Sequence, residues 1–121
     1  MGSYKLTADL DFSNINTSQN VYITETFLGL LDGNGFEITG LSKPLFNKII
    51  YANIKNIEVK NSSYSQNETA SLIKTAKNSM LENVTVYNSN PLPSNNPRNV
   101  SVIYTFCDVF ILEKSKSAVN L

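Results

Sequence analysis

The sequence predicts an all-β domain built as a short parallel β-helix, a solenoid of about three to four coils. The segment 43–59 recurs 27 positions later as 70–86, with apolar residues falling on apolar residues. A repeat period between 20 and 50 residues is typical of stacked architectures. Apolar and polar residues also alternate over short stretches, as in half-buried strands. In a solenoid, equivalent positions stack about 4.8 Å apart and fill the same slot of the core.

The composition narrows the possible functions of the chain. Its 121 residues suit one domain, and ten basic and ten acidic side chains give zero net charge, so no nucleic-acid or membrane partner is expected. The chain lacks histidine, the usual zinc ligand and general base. The single cysteine, Cys107, is therefore predicted to be a small buried hydrophobe rather than a nucleophile.

The N-terminal elements are predicted from their alternation. Residues 1–3 are interpreted as a vector remnant and left out of the fold. Lys5–Phe12 is predicted as one strand, followed by a polar loop at Ser13–Asn20. The strand would place four apolar residues on one side: Leu6, Ala8, Leu10 and Phe12.

The next segment carries the sharpest turn signal of the chain. Tyr22–Leu31 and Phe36–Leu41 are predicted strands, the second with Phe36 and Ile38 directed inward. Between them lies the tight turn formed by Asp32, Gly33, Asn34 and Gly35. Glycine and asparagine supply the positive φ that a tight reversal requires.

The repeat itself predicts two pairs of short strands. Leu45–Ile50 and Ile54–Val59 are echoed by Ser71–Lys77 and Leu81–Tyr87. A helix at 70–82 is the alternative, but its echo contains Pro44, which helices exclude from their interior. Stacking then predicts two core rows, one of Phe36, Ile57 and Val84 and the other of Ile38, Val59 and Val86.

The repeat becomes less regular towards the C-terminus. Asn88–Asn99 contains three prolines and is predicted to be a loop, and Val100–Phe106 with Val109–Leu112 would form the next, slightly longer coil. The domain is therefore placed at 4–112, with a fraying tail at 113–121. We expect the polar loop to close the N-terminal end of the stack. The C-terminal edge is expected to stay open, so that the isolated fragment self-associates through residues beyond Asn99.

The polar residues are better explained by structure than by chemistry. Asn56 and Asn83 lie in register and predict an asparagine ladder along the stack. Asp9, Asp11 and Asp32 could be read as calcium ligands, but they are spread without a bidentate glutamate, and turn and surface roles fit them better. Interleaved lysines and glutamates indicate a mixed, solvated face. No catalytic residue, metal site or cofactor is predicted.

The sequence also resembles a known module. The run Tyr4–Asp11, the segment Phe27–Leu41, and the short motifs Pro44-Leu45-Phe46 and Ile54-Lys55-Asn56-Ile57 are similar to the GLUG-type β-helix. That module belongs to large Gram-positive surface proteins, notably the non-catalytic part of immunoglobulin A protease-like zinc metallopeptidases. The resemblance implies a right-handed parallel β-helix on a secreted or wall-anchored protein and carries over no activity.

The sequence thus predicts a fragment of a larger extracellular bacterial protein. Its expected role is that of a non-catalytic spacer or adhesion module, with neighbouring domains and a host protein or glycan as partners. Outward-facing Leu28 and Leu30 indicate a face covered by such a partner. One alternative is a fragment of a β-helical polysaccharide lyase or hydrolase, which would need clustered acids. The other is a carbohydrate-binding domain that uses exposed tyrosines: Tyr22, Tyr51, Tyr64 and Tyr87.

Overall fold

The fold is a parallel β-solenoid of about three turns, seen in a computed structural model that describes residues 2–64, 68, 70–88, 101–111 and 116–119. Every pairing between its strands is parallel. The eight strands are β1 (Gly2–Lys5), β2 (Leu10–Asp11), β3 (Ile23–Asp32), β4 (Glu37–Thr39), β5 (Phe46–Ser62), β6 (Ala70–Asn88), β7 (Ser101–Ile111) and β8 (Lys116–Val119). The described part of the chain holds no helix with the length and apolarity that crossing a membrane requires.

The register between β5 and β6 is the 27-residue offset seen in the sequence. Phe46 lies opposite Ile73, and Val59 lies opposite Val86. The strand prediction for this region, including 70–82, is therefore confirmed. The offset is not constant along the stack, because Leu31 of β3 already pairs with Ile54 of β5. The coils differ in length, yet the side-chain columns of the core remain continuous.

The two long strands, β5 and β6, turn corners instead of running straight. Tyr51, Asn56 and Asn61 in β5 have φ values of 48°, 55° and 49°. Asn78 and Asn83 in β6 have φ values of 47° and 56°. Asparagine tolerates this left-handed conformation better than most residues, since its short polar side chain can bond locally. The corners divide each long strand into short straight segments, which correspond to the short strands predicted from the sequence.

The core is made of columns in which each coil contributes one side chain. Ile38, Val59 and Val86 are adjacent in the ladder and are exposed by 1%, 0% and 0%. Ile57 and Val84 are likewise paired and buried. Phe36, the third member predicted for this row, lies outside β4 and is only half-buried. Its N–H donates to the carbonyl of Gly33, so Phe36 closes the preceding turn instead of extending a strand.

The first coil differs from its prediction as a single strand over Lys5–Phe12. The chain leaves β1 after Lys5 and re-enters the sheet at β2, because it rounds the same corner as the next coil. Leu6 N–H donates to the Asp32 carbonyl and Phe12 N–H to that of Thr39. Leu6 and Phe12 pack against the core, as predicted, whereas two residues predicted to share their side, Ala8 and Leu10, are exposed.

The turn after β3 is a corner and not a hairpin reversal. The strand on each side of it, β3 and β4, pairs in parallel with the same neighbour, β5. Asn34 and Gly35 supply the positive φ, at 54° and 83°. Gly33 is required for a different reason: a Cβ at this position would collide with the backbone carbonyl of Asn56 in the next coil. The sequence located this turn correctly, but its role is to change the direction of a coil.

Both chain ends take part in the sheet. Gly2 and Ser3, which the sequence interpretation left out of the fold, pair with Gly29 and Leu30 as part of β1. Lys116–Val119, predicted to fray, form β8 and pair with the last residues of β6. The predicted proline-rich loop lies, from residue 89 onward, outside the described residues. Both segments are ordered because their backbone N–H and C=O groups pair with a neighbouring strand. The sequence pattern of a segment does not reveal such a neighbour.

The single cysteine occupies an outward position of β7. Cys107 pairs with Lys77, which also faces solvent, and the thiol is exposed. The prediction of a buried Cys107 is therefore wrong. The absence of histidine argued against a nucleophile but carried no information about burial, and residues 105–108 of β7 are all exposed.

Candidate functional site

The outer corner of the solenoid carries a ladder of three polar side chains, one from each of three successive coils. Asn83 Nδ2 donates to Asn56 Oδ1 at 3.0 Å, and Asn56 Nδ2 donates to Asp32 Oδ1 at 3.0 Å. Asp32 Oδ1 also accepts the backbone N–H of Asn34 at 2.8 Å. The predicted pair of asparagines is thus brought together, and the turn aspartate extends the chain of hydrogen bonds.

These contacts change the acidity of the ladder's carboxylate. The amide of Asn56 and the backbone N–H of Asn34 both stabilise the ionised form, so the pKa of Asp32 lies below its ordinary value of 3.8. Positive charges on Lys55 and Lys5 act in the same direction. The two lysines flank Asp32 in the strand ladder, and Lys55 is in turn opposite Glu82, so charge alternates along this column.

A shallow cavity of about 180 Å³ lies beside this ladder. The residues that line it include Asn56, Asn83, Phe36 and Glu58. Amides and one carboxylate can accept and donate hydrogen bonds to a polar ligand, but they do not form a nucleophile–base pair. The residues at this corner can therefore stabilise the fold or bind a polar ligand.

The other two aspartates considered as calcium ligands, Asp9 and Asp11, accept separate hydrogen bonds. Asp9 Oδ1 accepts the backbone N–H of Glu37 at 2.8 Å, which ties the first coil to the second. Asp11 Oδ1 accepts the N–H of Ser13 at 2.9 Å, and this bond lowers the pKa of Asp11. Within the described ranges, no cluster of three or more histidine, cysteine, aspartate or glutamate side chains could hold a metal ion.

Two buried serines form hydrogen bonds with backbone groups at the corners, and they were not identified from the sequence. Ser79 Oγ accepts the N–H of Ala52 at 3.1 Å and donates to the carbonyl of Lys77 at 2.7 Å. Ser62 Oγ likewise accepts the N–H of Leu41 at 3.0 Å and donates to the carbonyl of Lys60. Each serine follows a positive-φ asparagine, and the signal that could have revealed them is the repeated tripeptide Lys-Asn-Ser at 60–62 and 77–79.

A small charged cluster occupies the neighbouring face. Lys60 Nζ lies 3.0 Å from Glu37 Oε2 and 2.8 Å from Glu58 Oε1, and these two carboxylates raise the pKa of Lys60. The same ammonium lies 5.5 Å from the ring centroid of Tyr87. This arrangement matches the mixed, solvated face expected from the interleaved lysines and glutamates.

The four tyrosines named as candidates for glycan binding differ in their exposure to solvent. Tyr64 is buried, its hydroxyl donates to the carbonyl of Ser71 at 2.8 Å, and burial raises its pKa. Tyr22 packs on Phe12, with ring centroids 4.9 Å apart. Tyr51, by contrast, is 65% exposed at a corner. Tyr64 is unavailable to a ligand because its side chain is part of the buried core.

The N-terminal end of the solenoid contains an apolar cavity of about 310 Å³. The polar loop Ser13–Asn20, which was predicted to close this end, contributes no residue to the lining of the cavity. The cavity is lined by residues of the first three coils: Tyr4, Leu6, Leu10, Phe12, Ile23, Phe27, Leu31, Ile38, Leu45 and Phe46.

Comparisons with known proteins place the chain beside one family. The family model described as the M26 IgA1-specific metallo-endopeptidase N-terminal region matches residues 1–88. The zinc metalloprotease ZmpB of Streptococcus pneumoniae serotype 4 (strain ATCC BAA-334 / TIGR4) is 36% identical over 90 residues, which cover 69% of this chain and 5% of that protein. The chain thus spans a small part of the length of this curated relative. No solved structure matches the chain significantly.

Proposed function

The chain belongs to the family of the M26 IgA1-specific metallo-endopeptidase N-terminal region, and from this we propose that it is a non-catalytic spacer of a zinc metallopeptidase. The family match concerns an N-terminal region and not the catalytic part. The proposed partners are the neighbouring domains of the longer protein. The proposed location is extracellular, either secreted or attached to the cell wall, and kinship with GLUG-type modules remains a prediction of the sequence.

The observation that supports a spacer is the continuity of the stack. One column of paired residues runs without interruption through five strands, from Tyr4 in β1 through Leu31, Ile54 and Leu81 to Ile111 in β7. Four steps of about 4.8 Å give roughly 19 Å of axial length. On the outside, the Asp32–Asn56–Asn83 ladder joins three of the same coils. A stack whose coils are joined both through the core and along the outer corner is rigid. Its two ends therefore stay at a fixed distance from each other.

Two further observations support a role without chemistry. The chain contains no histidine, so it cannot carry the His-Glu-x-x-His signature of such metallopeptidases. The aspartates considered as ligands each accept hydrogen bonds within turns or between coils. We therefore expect no cleavage of IgA1 by the purified chain in the presence of zinc. Cleavage that is lost in an Asp9→Asn or Asp32→Asn variant would overturn the non-catalytic proposal.

Spacer function is tested by measuring rigidity across the stack. The native, exposed Cys107 in β7 and a Lys5→Cys substitution in β1 provide two labelling sites for nitroxides. Pulsed electron-spin resonance should give a single narrow distance distribution that is unchanged between 5 and 30 °C. Singly labelled protein diluted with unlabelled chain controls for contacts between molecules. A broad distribution that shifts with temperature would contradict a spacer.

A second candidate function rests on Tyr51. This side chain is 65% exposed on a backbone corner, and an exposed aromatic ring is a platform on which a sugar ring can stack. Glycan binding by the wild-type chain that is abolished by Tyr51→Asn would support a carbohydrate-binding module. Asparagine is the matched replacement, because the next coil carries Asn78 with the same backbone conformation. Binding retained in this variant would reject the Tyr51 platform.

A further inference from the structure

The turn after β3 places one asparagine directly before a glycine on the surface of the solenoid. Asn34 and Gly35 form the only Asn-Gly pair of the sequence. Both residues are exposed, with φ values of 54° and 83°, and the N–H of Phe36 donates to the carbonyl of Gly33 at 2.9 Å across them. They are therefore the two central residues of a tight turn that faces water.

The backbone nitrogen of Gly35 is the least engaged nitrogen of this turn. The N–H of Gly33 donates to the carbonyl of Lys55, and the N–H of Asn34 donates to Asp32 Oδ1. In the described part of the chain, no group accepts the N–H of Gly35, and a Cβ at this position would meet no atom within 4 Å. This nitrogen is therefore open to solvent and has no side chain of its own to shield it.

An asparagine side chain in this setting can react with the nitrogen of the following residue. The Gly35 nitrogen attacks Cγ of Asn34, the new N–Cγ bond closes a five-membered succinimide ring, and the bond from Cγ to Nδ2 breaks. The proton of the Gly35 nitrogen leaves with Nδ2 as ammonia. Water then opens either carbonyl of the ring and gives aspartate or isoaspartate at position 34. The reacting groups are held together by the chain, and glycine adds no side chain that obstructs the attack.

The other asparagines with a left-handed backbone lack these conditions. Each of them precedes a residue that carries a side chain and is buried within β5 or β6: Asn56 before Ile57, Asn61 before Ser62, Asn78 before Ser79, and Asn83 before Val84. The neighbouring Asp-Gly pair is also different, because the nitrogen of Gly33 is hydrogen-bonded and this glycine packs against the next coil. The reaction is therefore expected at Asn34 first.

The amide of Asn34 also has a structural role. Its Nδ2 donates to the carbonyl of Leu6 at 3.2 Å and so joins the second coil to the first. A carboxylate at position 34 donates no hydrogen bond to this carbonyl. Its negative charge would also lie close to Asp32, which accepts the N–H of the same residue. Loss of the amide therefore weakens the attachment of the first coil.

We propose that Asn34 is a site of spontaneous deamidation, which converts this turn to an aspartate or isoaspartate form as the protein ages and loosens the first coil. The reaction needs water alone as co-reactant, releases ammonia, and involves no oxidation or reduction. It is independent of the proposed spacer function, since it requires only the turn after β3.

The test follows peptides released by a glutamate-specific protease after the folded protein has been kept at 37 °C and pH 8.5. The peptide Thr26–Glu37 contains Asn34 as its single asparagine. Mass spectrometry should show this peptide gaining one mass unit with time and separating into two products of equal mass, one with aspartate and one with isoaspartate. The peptide Thr69–Glu82, whose single asparagine is Asn78, should remain unchanged.

Two variants and an unfolded reference identify the reacting groups. Gly35→Ala places a methyl group beside the attacking nitrogen and should slow the conversion severalfold. Asn34→Gln would have to close a larger ring and should stay unmodified. Conversion of Asn34 in guanidinium chloride without any conversion in the folded protein would overturn the proposal, because the fold would then protect the turn. Equal rates for the Asn34 and Asn78 peptides of the folded protein would also overturn it.

The structural consequence is measured on Asn34→Asp, which carries the aspartate product from the start. The N–H of Leu6 donates to the carbonyl of Asp32 in the native stack, and in this variant it should exchange with deuterium severalfold faster than in wild type. The N–H groups of β6 should exchange at wild-type rates and serve as the internal control. Unchanged exchange at Leu6 would overturn the proposed loosening of the first coil.

Discussion

Asn83 and Asn56 occupy equivalent corners of neighbouring coils, and the side-chain amide of Asn83 donates to that of Asn56 at 3.0 Å. Both residues have φ near 55°. The corner therefore makes two demands at once, a left-handed backbone and a side chain that bonds along the stack. Glycine meets the first and glutamine the second, but asparagine meets both, which explains why this residue recurs with the repeat.

The ladder prediction is tested at Asn56. Asn56→Gly keeps the positive φ and removes two hydrogen bonds, so we expect a loss of about 1–3 kcal/mol in the free energy of unfolding. Asn56→Ala adds left-handed strain of about 1 kcal/mol. Urea titration measures both. Asn78→Gly, at an exposed corner, is the matched control and should change stability by less than about 0.5 kcal/mol.

The buried serines should matter more than their size suggests. Ser79→Ala leaves the N–H of Ala52 buried without an acceptor, which should cost about 1–3 kcal/mol. Chemical denaturation at fixed pH measures the loss, with Ser18→Ala in the exposed N-terminal loop as control. Equal stabilities of the two variants would show that the Ser79 hydroxyl is dispensable to the corner.

The two glycines of the turn after β3 should respond differently to alanine. Gly33→Ala places a methyl group against the Asn56 carbonyl of the next coil, and we expect a loss of about 3 kcal/mol or more. Gly35 has open space around it and φ of 83°, so Gly35→Ala should cost about 1–2 kcal/mol of backbone strain alone. Thermal melts that rank them in the opposite order would contradict the described packing.

Core truncation tests the register. Ile57 is 2% exposed and stacks on Val84, so Ile57→Ala should lose about 2–4 kcal/mol through lost burial and the cavity that remains. Ile15→Ala removes the same atoms from a side chain that is 52% exposed and serves as the control. If the two variants unfold at the same denaturant concentration, the coils are not in the register described.

The pH dependence of stability should contain a contribution from Asp32. Its folded-state pKa is lowered, so its ionised form stabilises the fold above the ordinary value of 3.8, and this contribution is lost as the pH falls through the lower folded value. Asp32→Asn should flatten the decline of the melting temperature between about pH 5 and pH 2. Because hydrogen bonds are the main cause, 0.5 M salt should leave most of the difference. A decline as steep as that of wild type would contradict the role of Asp32.

The sequence was most informative where two complete coils face each other. The column of Ile38, Val59 and Val86 could be predicted because each coil imposes the same slot on the next. The ladder of Asn56 and Asn83 followed from the same offset. Both predictions depend on the 27-residue repeat. The repeat exists because equivalent residues of stacked coils occupy equivalent positions in the core or at a corner.

The predictions failed for residues outside the 27-residue repeat and for segments in which the alternation of apolar and polar residues fits more than one structure. Lys5–Phe12 alternates, but an alternating run does not reveal the corner between Lys5 and Leu10. Tyr64 lies outside the repeated strands, so nothing in its surroundings indicated burial. Ser62 and Ser79 escaped notice because their partners are backbone groups of another coil, which a one-dimensional pattern does not contain.

The unequal coil lengths have a consequence for how such a stack diversifies. The connection 12–22 between β2 and β3 is longer than the connection 40–45 between β4 and β5, while the columns stay aligned. The corner between β3 and β4 also differs in length from the matching part of β5, because Asp32 pairs with Lys55 whereas Glu37 pairs with Glu58. The scaffold can therefore accept a longer connection or corner without any mutation of the core columns.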